Sequence, residues 1–294
     1  MRIQSPAVLV NAGSREGADR LGEVVAALGE FGIQPRFTEA LEGRELSAAL
    51  ERAVNAKPDC LIACGGDGTV ASCAAVAIEH DWPLGVIALG TGNSFARKIG
   101  LDPGVESGAK AIGTGNLAWM DVGRAGEALF LDLCSVGVSA DVVRHVKPEL
   151  KKTWGRLAYI LAGAEALAEI EAFSVRIEAN GRVIELESLF VACGPGPLHG
   201  GFAKLHPDAR PNDGLLYGYA LDASSRAVLI QWAAGIAIGD PGALPGIVAF
   251  TGDTIQIATS PPLATNLDGE KHDPTPVTLT AGAKALRVFA PEAS

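Results

Sequence analysis

Two glycine turns, Gly65-Gly66-Asp67-Gly68-Thr69 and Gly90-Thr91-Gly92-Asn93, hold the residues best suited to chemistry in this 294-residue sequence. Glycine has no Cβ and tolerates positive φ, so successive backbone N–H groups of such turns can converge on an anion. Asp67 adds a carboxylate, which sits comfortably beside a polyphosphate only with a hard cation such as Mg2+ between them. Its alternative role is to cap the helix that follows. The first turn lies between an apolar, strand-like run at 60–64 and an alanine-rich stretch at 70–78 that reads as a helix. Strand, glycine turn and helix N-terminus together favour a bound phosphate. Single turns of this kind also occur in proteins that bind no nucleotide, so the pair carries more weight than either alone.

Other candidates lie far off in sequence. Asn11 and Ser14 border the end of the first strand-like run. Asp268 and Glu270 flank Gly269, and in an extended segment both would face one side and could take a proton from an acceptor hydroxyl. A hairpin turn is the plainer reading of 267–270. Asp213 belongs to a Pro-Asn-Asp-Gly turn, ordinary turn chemistry by itself. His199 and His206 are seven apart, which fits no zinc-ligand pattern, and read as loop histidines.

The elements that must position these residues come in two grammars. Strand-like runs at 7–11, 34–39, 59–64 and 84–89 alternate with helical periodicity at 16–31, 44–55 and 70–80, which predicts a parallel α/β domain over 1–117. Its glycine turns then gather at the carboxyl ends of the strands, where open α/β sheets bind ligands. Past about residue 117 the sequence changes to short β-like runs, at 117–122, 128–135, 173–179, 182–193, 215–221, 254–259, 277–281 and 285–289, interrupted by helical stretches at 154–171 and 224–238. Asn180-Gly181 is a strong hairpin signal. The expectation is a mostly antiparallel β-sandwich domain over 118–294, its last strand returning toward the first domain.

Composition narrows the function classes. Twenty-four basic against 34 acidic residues give a net charge of −10, which argues against nucleic-acid binding. A basic stretch (Arg144, His145, Lys147, Lys151, Lys152, Arg156) reads first as a solvated face. The five cysteines are odd in number, lie mostly among apolar residues and form no CxxC pair, so they read as small buried hydrophobes in a reducing compartment. The start lacks a signal-peptide pattern, and the longest apolar stretches are too short to span a bilayer. A cytoplasmic protein that touches the inner membrane face transiently is the expectation; a homodimer is compatible with the sequence.

The order of these features resembles the diacylglycerol kinase catalytic-domain family, which includes bacterial lipid kinases and the sphingosine and ceramide kinases. The resemblance runs through Val10-Asn11-Ala12-Gly13-Ser14, Gly65 to Thr69, Pro83 to Arg97, Gly137 to Asp141, Gly155 with Tyr159, Gly200-Gly201, Pro207 to Leu216, and Asn266-Leu267-Asp268-Gly269-Glu270. It implies a Rossmann-like first domain, similar to those of NAD kinases and phosphofructokinases, and ATP and Mg2+ as cofactors. It implies transfer of the γ-phosphate of ATP to a hydroxyl of a lipid such as diacylglycerol, with phosphate handling in the first domain and proton removal in the second. It further implies a nucleotide contact at Thr38, a general base in the Asp268-Gly269-Glu270 element, and a structural Mg2+ held by Asp213 and the main-chain carbonyls of Arg210 and Leu215. Three positions depart from the family's pattern: Ala12 stands for a proline, Ala71-Ser72 for Asn-Glu, and Ser94 for an aspartate. The competing expectations are an NAD-kinase-like nucleotide kinase and a non-catalytic nucleotide- or lipid-binding protein of the same fold.

Overall fold

The structure is a computed structural model that describes residues 3–11, 17–41, 46–137, 171–199, 203, 204, 206, 208–224, 228 and 245–292. Ser14, the basic stretch, Gly155 with Tyr159, Gly200-Gly201 and most of the helices expected over 154–171 and 224–238 lie outside them. The chain forms two compact units, Met1–Met120 with Lys284–Ser294, and Asp121–Ala283. Residues 284–294 thus go with the first unit.

The first unit is built from β1 (Ala7–Val10), α1 (Gly17–Gly29), β2 (Phe37–Ala40), α2 (Leu46–Asn55), β3 (Leu61–Gly65), α3 (Asp67–Glu79), β4 (Leu84–Ala88), α4 (Ser94–Lys98) and α5 (Val105–Thr114). The first four strands are parallel, in spatial order β2, β1, β3, β4. Every residue of β1, β3 and β4 is buried, as expected of continuous apolar runs covered by helices on both faces. One core gathers Val8, Val10, Ile62, Cys64 and Ile87 from the strands with Val24, Leu28, Ala109 and Ile112 from α1 and α5. Register places Val10 beside Cys64 and Ala40, and Gly65 beside Ala88, so the strand ends that carry the turns lie level.

Helix α3 begins at Asp67 rather than at 70, because Gly66 already serves as its extended N-cap. The turn and the helix N-terminus are therefore one object.

β5 (Leu117–Ala125) runs across the boundary into the second unit. There follow β6 (Ala128–Phe130), β7 (Cys134–Val136), β8 (Phe173–Ala179), β9 (Arg182–Pro195), the pair β10 (Leu198–His199) and β11 (Ala203–Lys204), β12 (Leu216–Asp222), β13 (Ile247–Gly252), β14 (Thr254–Ser260), β15 (Ala264–Leu267), β16 (Glu270–Pro274) and β17 (Val277–Phe289). Pairing in this unit is antiparallel throughout the described ladders. Strand β9 is shared, its first half with β8 and its second half with β7 and β12. The core on one face gathers Phe130, Val175, Ile177, Val191, Ile255 and Leu279. Asn180 and Gly181 have φ of 49° and 70° and close a two-residue hairpin between Ala179 and Arg182, as their types require. The runs expected at 277–281 and 285–289 are one strand, β17, which pairs with β14 through 277–280 and with Leu84 of β4 through Val288.

Candidate active site

In the first unit the two glycine turns are locked together. A Cβ on Gly90 would lie 2.4 Å from the Cα of Gly66, so the turns pass each other at backbone contact. Asp67 does not cap its own helix. Its Oδ1 accepts the Phe95 N–H at 3.1 Å, across to the start of α4, while a Cβ on Gly92 would lie 2.9 Å from its Oδ2. Asn93, at φ 54° and 3% exposed, folds its amide onto its own turn, accepting from Gly90 N at 3.0 Å and donating to Gly90 O at 2.8 Å. Its amide therefore builds the turn, whereas Thr91 and Gly92 are exposed. Gly65 is required because a Cβ there would sit 2.7 Å from Thr69 Oγ1.

Gly68 is different. A Cβ on it would meet nothing within 4 Å, and it lies in the first turn of a 13-residue helix, where glycine is a poor helix former. Nothing among the described residues requires glycine at this exposed position, which leaves the backbone N–H groups of the helix N-terminus open to approach.

Asn11 reaches the same place from β1. Its N–H donates to Cys64 O at 2.7 Å, and its Nδ2 donates to Thr69 Oγ1 at 3.0 Å. Ser72, which stands where the family has a glutamate, donates its hydroxyl to Gly68 O at 3.0 Å within the helix. Thr38 pairs with Val8, two residues short of the level carboxyl edge at Val10 and Ala40, a distance of about 6.6 Å along the strand. It stands on the flank of β2, not at its end. An open groove of about 580 Å³ between α2 and α3, lined by Leu50, Glu51, Glu79 and His80 among others, faces the C-terminal half of α3 and takes no part in the turns.

In the second unit the Asp268-Gly269 pair is a hairpin turn, with φ of 50° and 99°, closing β15 and β16 with Leu267 opposite Glu270. This overturns the expectation that Asp268 and Glu270 share one side of an extended segment. The Asp268 carboxylate accepts three backbone N–H groups, from Leu131 at 2.6 Å, Asp132 at 2.9 Å and Leu133 at 2.8 Å, and its own N–H donates to Leu133 O at 2.9 Å. The run expected as one strand over 128–135 therefore breaks into β6 and β7: the N–H groups of 131–133 go to a side chain instead of a ladder. Burial pushes the Asp268 carboxyl above the usual carboxylate range, against the pull of those three donors. Glu270, the first residue of β16, is exposed, and its carboxylate has no hydrogen bond or ion pair among the described residues.

The Asp213 turn is also closed by donors. Its Oδ2 accepts from Arg210 N at 3.1 Å and Tyr217 Oη at 2.7 Å, and its Oδ1 from Leu215 N at 3.1 Å. The groups that Arg210 and Leu215 turn toward the carboxylate are N–H donors, which repel a cation. This turn, as its donors are arranged, does not fit the Mg2+ site expected of it. Sequence reasoning missed Asp121, which is 2% exposed; its Oδ2 accepts from Gly214 N at 2.6 Å and its N–H donates to Pro211 O at 2.7 Å, pinning the same loop. A lone carboxylate within a β-like run was its sequence signal. Among the described residues no three His, Cys, Asp or Glu side chains gather as for a metal ion. A single carboxylate such as Asp67 is compatible with one, because Mg2+ is commonly held by one or two carboxylates, waters and the phosphates of its substrate.

Two known domain types match the chain in succession. Residues 6–125 match the diacylglycerol kinase catalytic domain, and residues 132–290 match the YegS C-terminal NAD kinase beta sandwich-like domain. The chain belongs to the diacylglycerol kinase catalytic-domain family. A diacylglycerol kinase of Staphylococcus aureus is 30% identical over 256 residues, 86% of this chain and 81% of that protein. An uncharacterized Synechocystis protein, sll0036, is 30% identical over 236 residues, and there the match spans 79% of this chain but 54% of the relative. Among solved structures, a diacylglycerol kinase of Bacillus anthracis superposes with a TM-score of 0.74 at 21% identity, over 99% of this chain and 98% of that one, a likeness of fold. Family membership supports a lipid-kinase-like function and, as for kinases in general, the use of ATP.

Proposed function

We propose that this chain is an ATP-dependent kinase that transfers the γ-phosphate to a hydroxyl of a lipid such as diacylglycerol. The observation that carries the reading is Gly68: a glycine that no packing contact demands, at the open N-terminus of α3, between a turn fixed by Gly90 and a carboxylate fixed by Phe95. Backbone N–H groups at a helix start bind phosphate without a charged side chain, and phosphoryl transfer asks chiefly for positioning and charge neutralisation. When bound with the nucleotide, Mg2+ supplies the neutralising charge, and Asp67 is the residue that would hold it. The exposed Glu270 takes the proton from the acceptor hydroxyl, because Asp268 is engaged by three N–H groups and serves to hold the 131–133 loop. The lipid would be met by transient, peripheral contact; no helix among the described residues is long and apolar enough to cross a membrane.

The test offers the purified chain labelled ATP with diacylglycerol, a sphingoid base, phosphatidylglycerol and NAD in parallel. Label in a lipid product is the expected result. Transfer to NAD alone would overturn the lipid reading, and ATP binding without transfer to any acceptor would favour a non-catalytic member of the fold, the direction in which Ala71, Ser72 and Ser94 lean.

A further inference from the structure

Thr69 is 5% exposed and occupies the first turn of α3 beside Gly68. A threonine hydroxyl has one hydrogen to donate and two lone pairs to accept with. In helices that hydrogen commonly goes back to a carbonyl one turn earlier. Here Oγ1 accepts from Asn11 Nδ2 at 3.0 Å, and no described residue receives its hydrogen. The donor is itself fixed, because the Asn11 backbone N–H is bound to Cys64 O at the end of β3. The absence of a Cβ on Gly65 lets Thr69 seat that oxygen.

We infer that Asn11 is a positioning residue that acts through Thr69: by filling an acceptor site of Oγ1 it turns the hydroxyl hydrogen outward, toward a phosphate at the N-terminus of α3. This rests on the nucleotide reading of the glycine turns, and it assigns Asn11 no direct contact with the nucleotide. An amide does what a carboxylate of the same shape cannot. Aspartate at 11 could only accept, and would draw the Thr69 hydrogen onto itself.

The test compares binding of MgATP and of adenosine, by calorimetry, to the wild-type chain and to Asn11→Ala, Asn11→Asp, Thr69→Val, Thr69→Ser and the Asn11→Ala/Thr69→Val double variant. Loss of one hydrogen bond to phosphate should weaken MgATP by roughly five- to tenfold in Asn11→Ala and in Thr69→Val, and the double variant should be no weaker than Thr69→Val alone. Asn11→Asp should lose at least as much, Thr69→Ser should bind as wild type, and adenosine affinity should stay unchanged throughout. Wild-type MgATP affinity in Asn11→Ala, losses that multiply in the double variant, or equal weakening of MgATP and adenosine would each overturn the inference. A wild-type chain that binds no MgATP would instead overturn the kinase reading on which it stands.

Discussion

At Asp268 and Glu270 two carboxylates two residues apart have opposite surroundings. Asp268 is half-buried with its carboxylate held by three N–H donors, and Glu270 is exposed at the start of β16. Glu270→Gln should therefore lower turnover by roughly a hundredfold or more while the melting temperature stays put, since a positioned base contributes about that much and no described residue bonds its carboxylate. Asp268→Asn should do the reverse. Its amide NH2 must face a backbone N–H of the 131–133 loop, leaving that donor without an acceptor at a cost of about 1–3 kcal/mol. The pH dependence has a definite sign. Burial raises the folded-state pKa of Asp268, so its contribution to stability is full below the ordinary carboxylate range and falls as pH rises through the raised value. The deficit of Asp268→Asn should be largest in acid and narrow toward neutrality, as denaturant titration at several pH values will show; a deficit that widens with pH would mean that the three N–H groups outweigh burial.

The elements show which glycines the packing demands and which it leaves free. Gly90 packs on Gly66, and Gly90→Ala should destabilise by about 1–3 kcal/mol, because the backbone it would strike has nowhere to move. Gly68→Ala should stabilise the free protein, by about 0.5 kcal/mol, as alanine is the better helix former. It should weaken MgATP severalfold, because the new methyl group occupies the approach to the N-terminus of α3. Thermal melts with and without MgATP separate the two effects, and unchanged MgATP affinity in Gly68→Ala would show that the open space is not the phosphate site. The sequence revealed the strands of the first unit because full burial demands unbroken apolar runs such as Ala7–Val10 and Leu84–Ala88. Helix α5 escaped, since Gly108 and Gly113 lower its helical signal. Their reason is tertiary: a Cβ on Gly108 would lie 2.5 Å from Val86 O, and one on Gly113 would lie 2.3 Å from the Phe31 ring. The break between β6 and β7 was equally hidden, because the carboxylate that claims those N–H groups lies more than 130 residues away. The two glycine turns were legible as turns. That Asn93 closes its own turn and that the Asp213 turn gathers donors were not, because turn residues of the same types serve either purpose.

On the scale of the whole molecule, the five cysteines provide built-in reporters. All are free and buried, as their apolar neighbours predict, and burial raises every thiol, Cys73 and Cys134 to about 12. Protonated, enclosed thiols are unreactive, so a thiol reagent should label none of them in the folded protein. They divide by unit: Cys60, Cys64 and Cys73 in Met1–Met120, Cys134 and Cys193 in Asp121–Ala283. A ligand stabilises whatever holds it, by about 2.7 kcal/mol at a hundred times its Kd. If phosphate binding rests on the glycine turns of the first unit, MgATP should delay labelling of Cys60, Cys64 and Cys73 in rising denaturant more than that of Cys134 and Cys193, with each site read by peptide mass spectrometry. Equal protection of all five would mean that the two units unfold as one or share the nucleotide. Protection confined to Cys134 and Cys193 would move the nucleotide to the second unit, and the glycine turns would lose the role their geometry suggests.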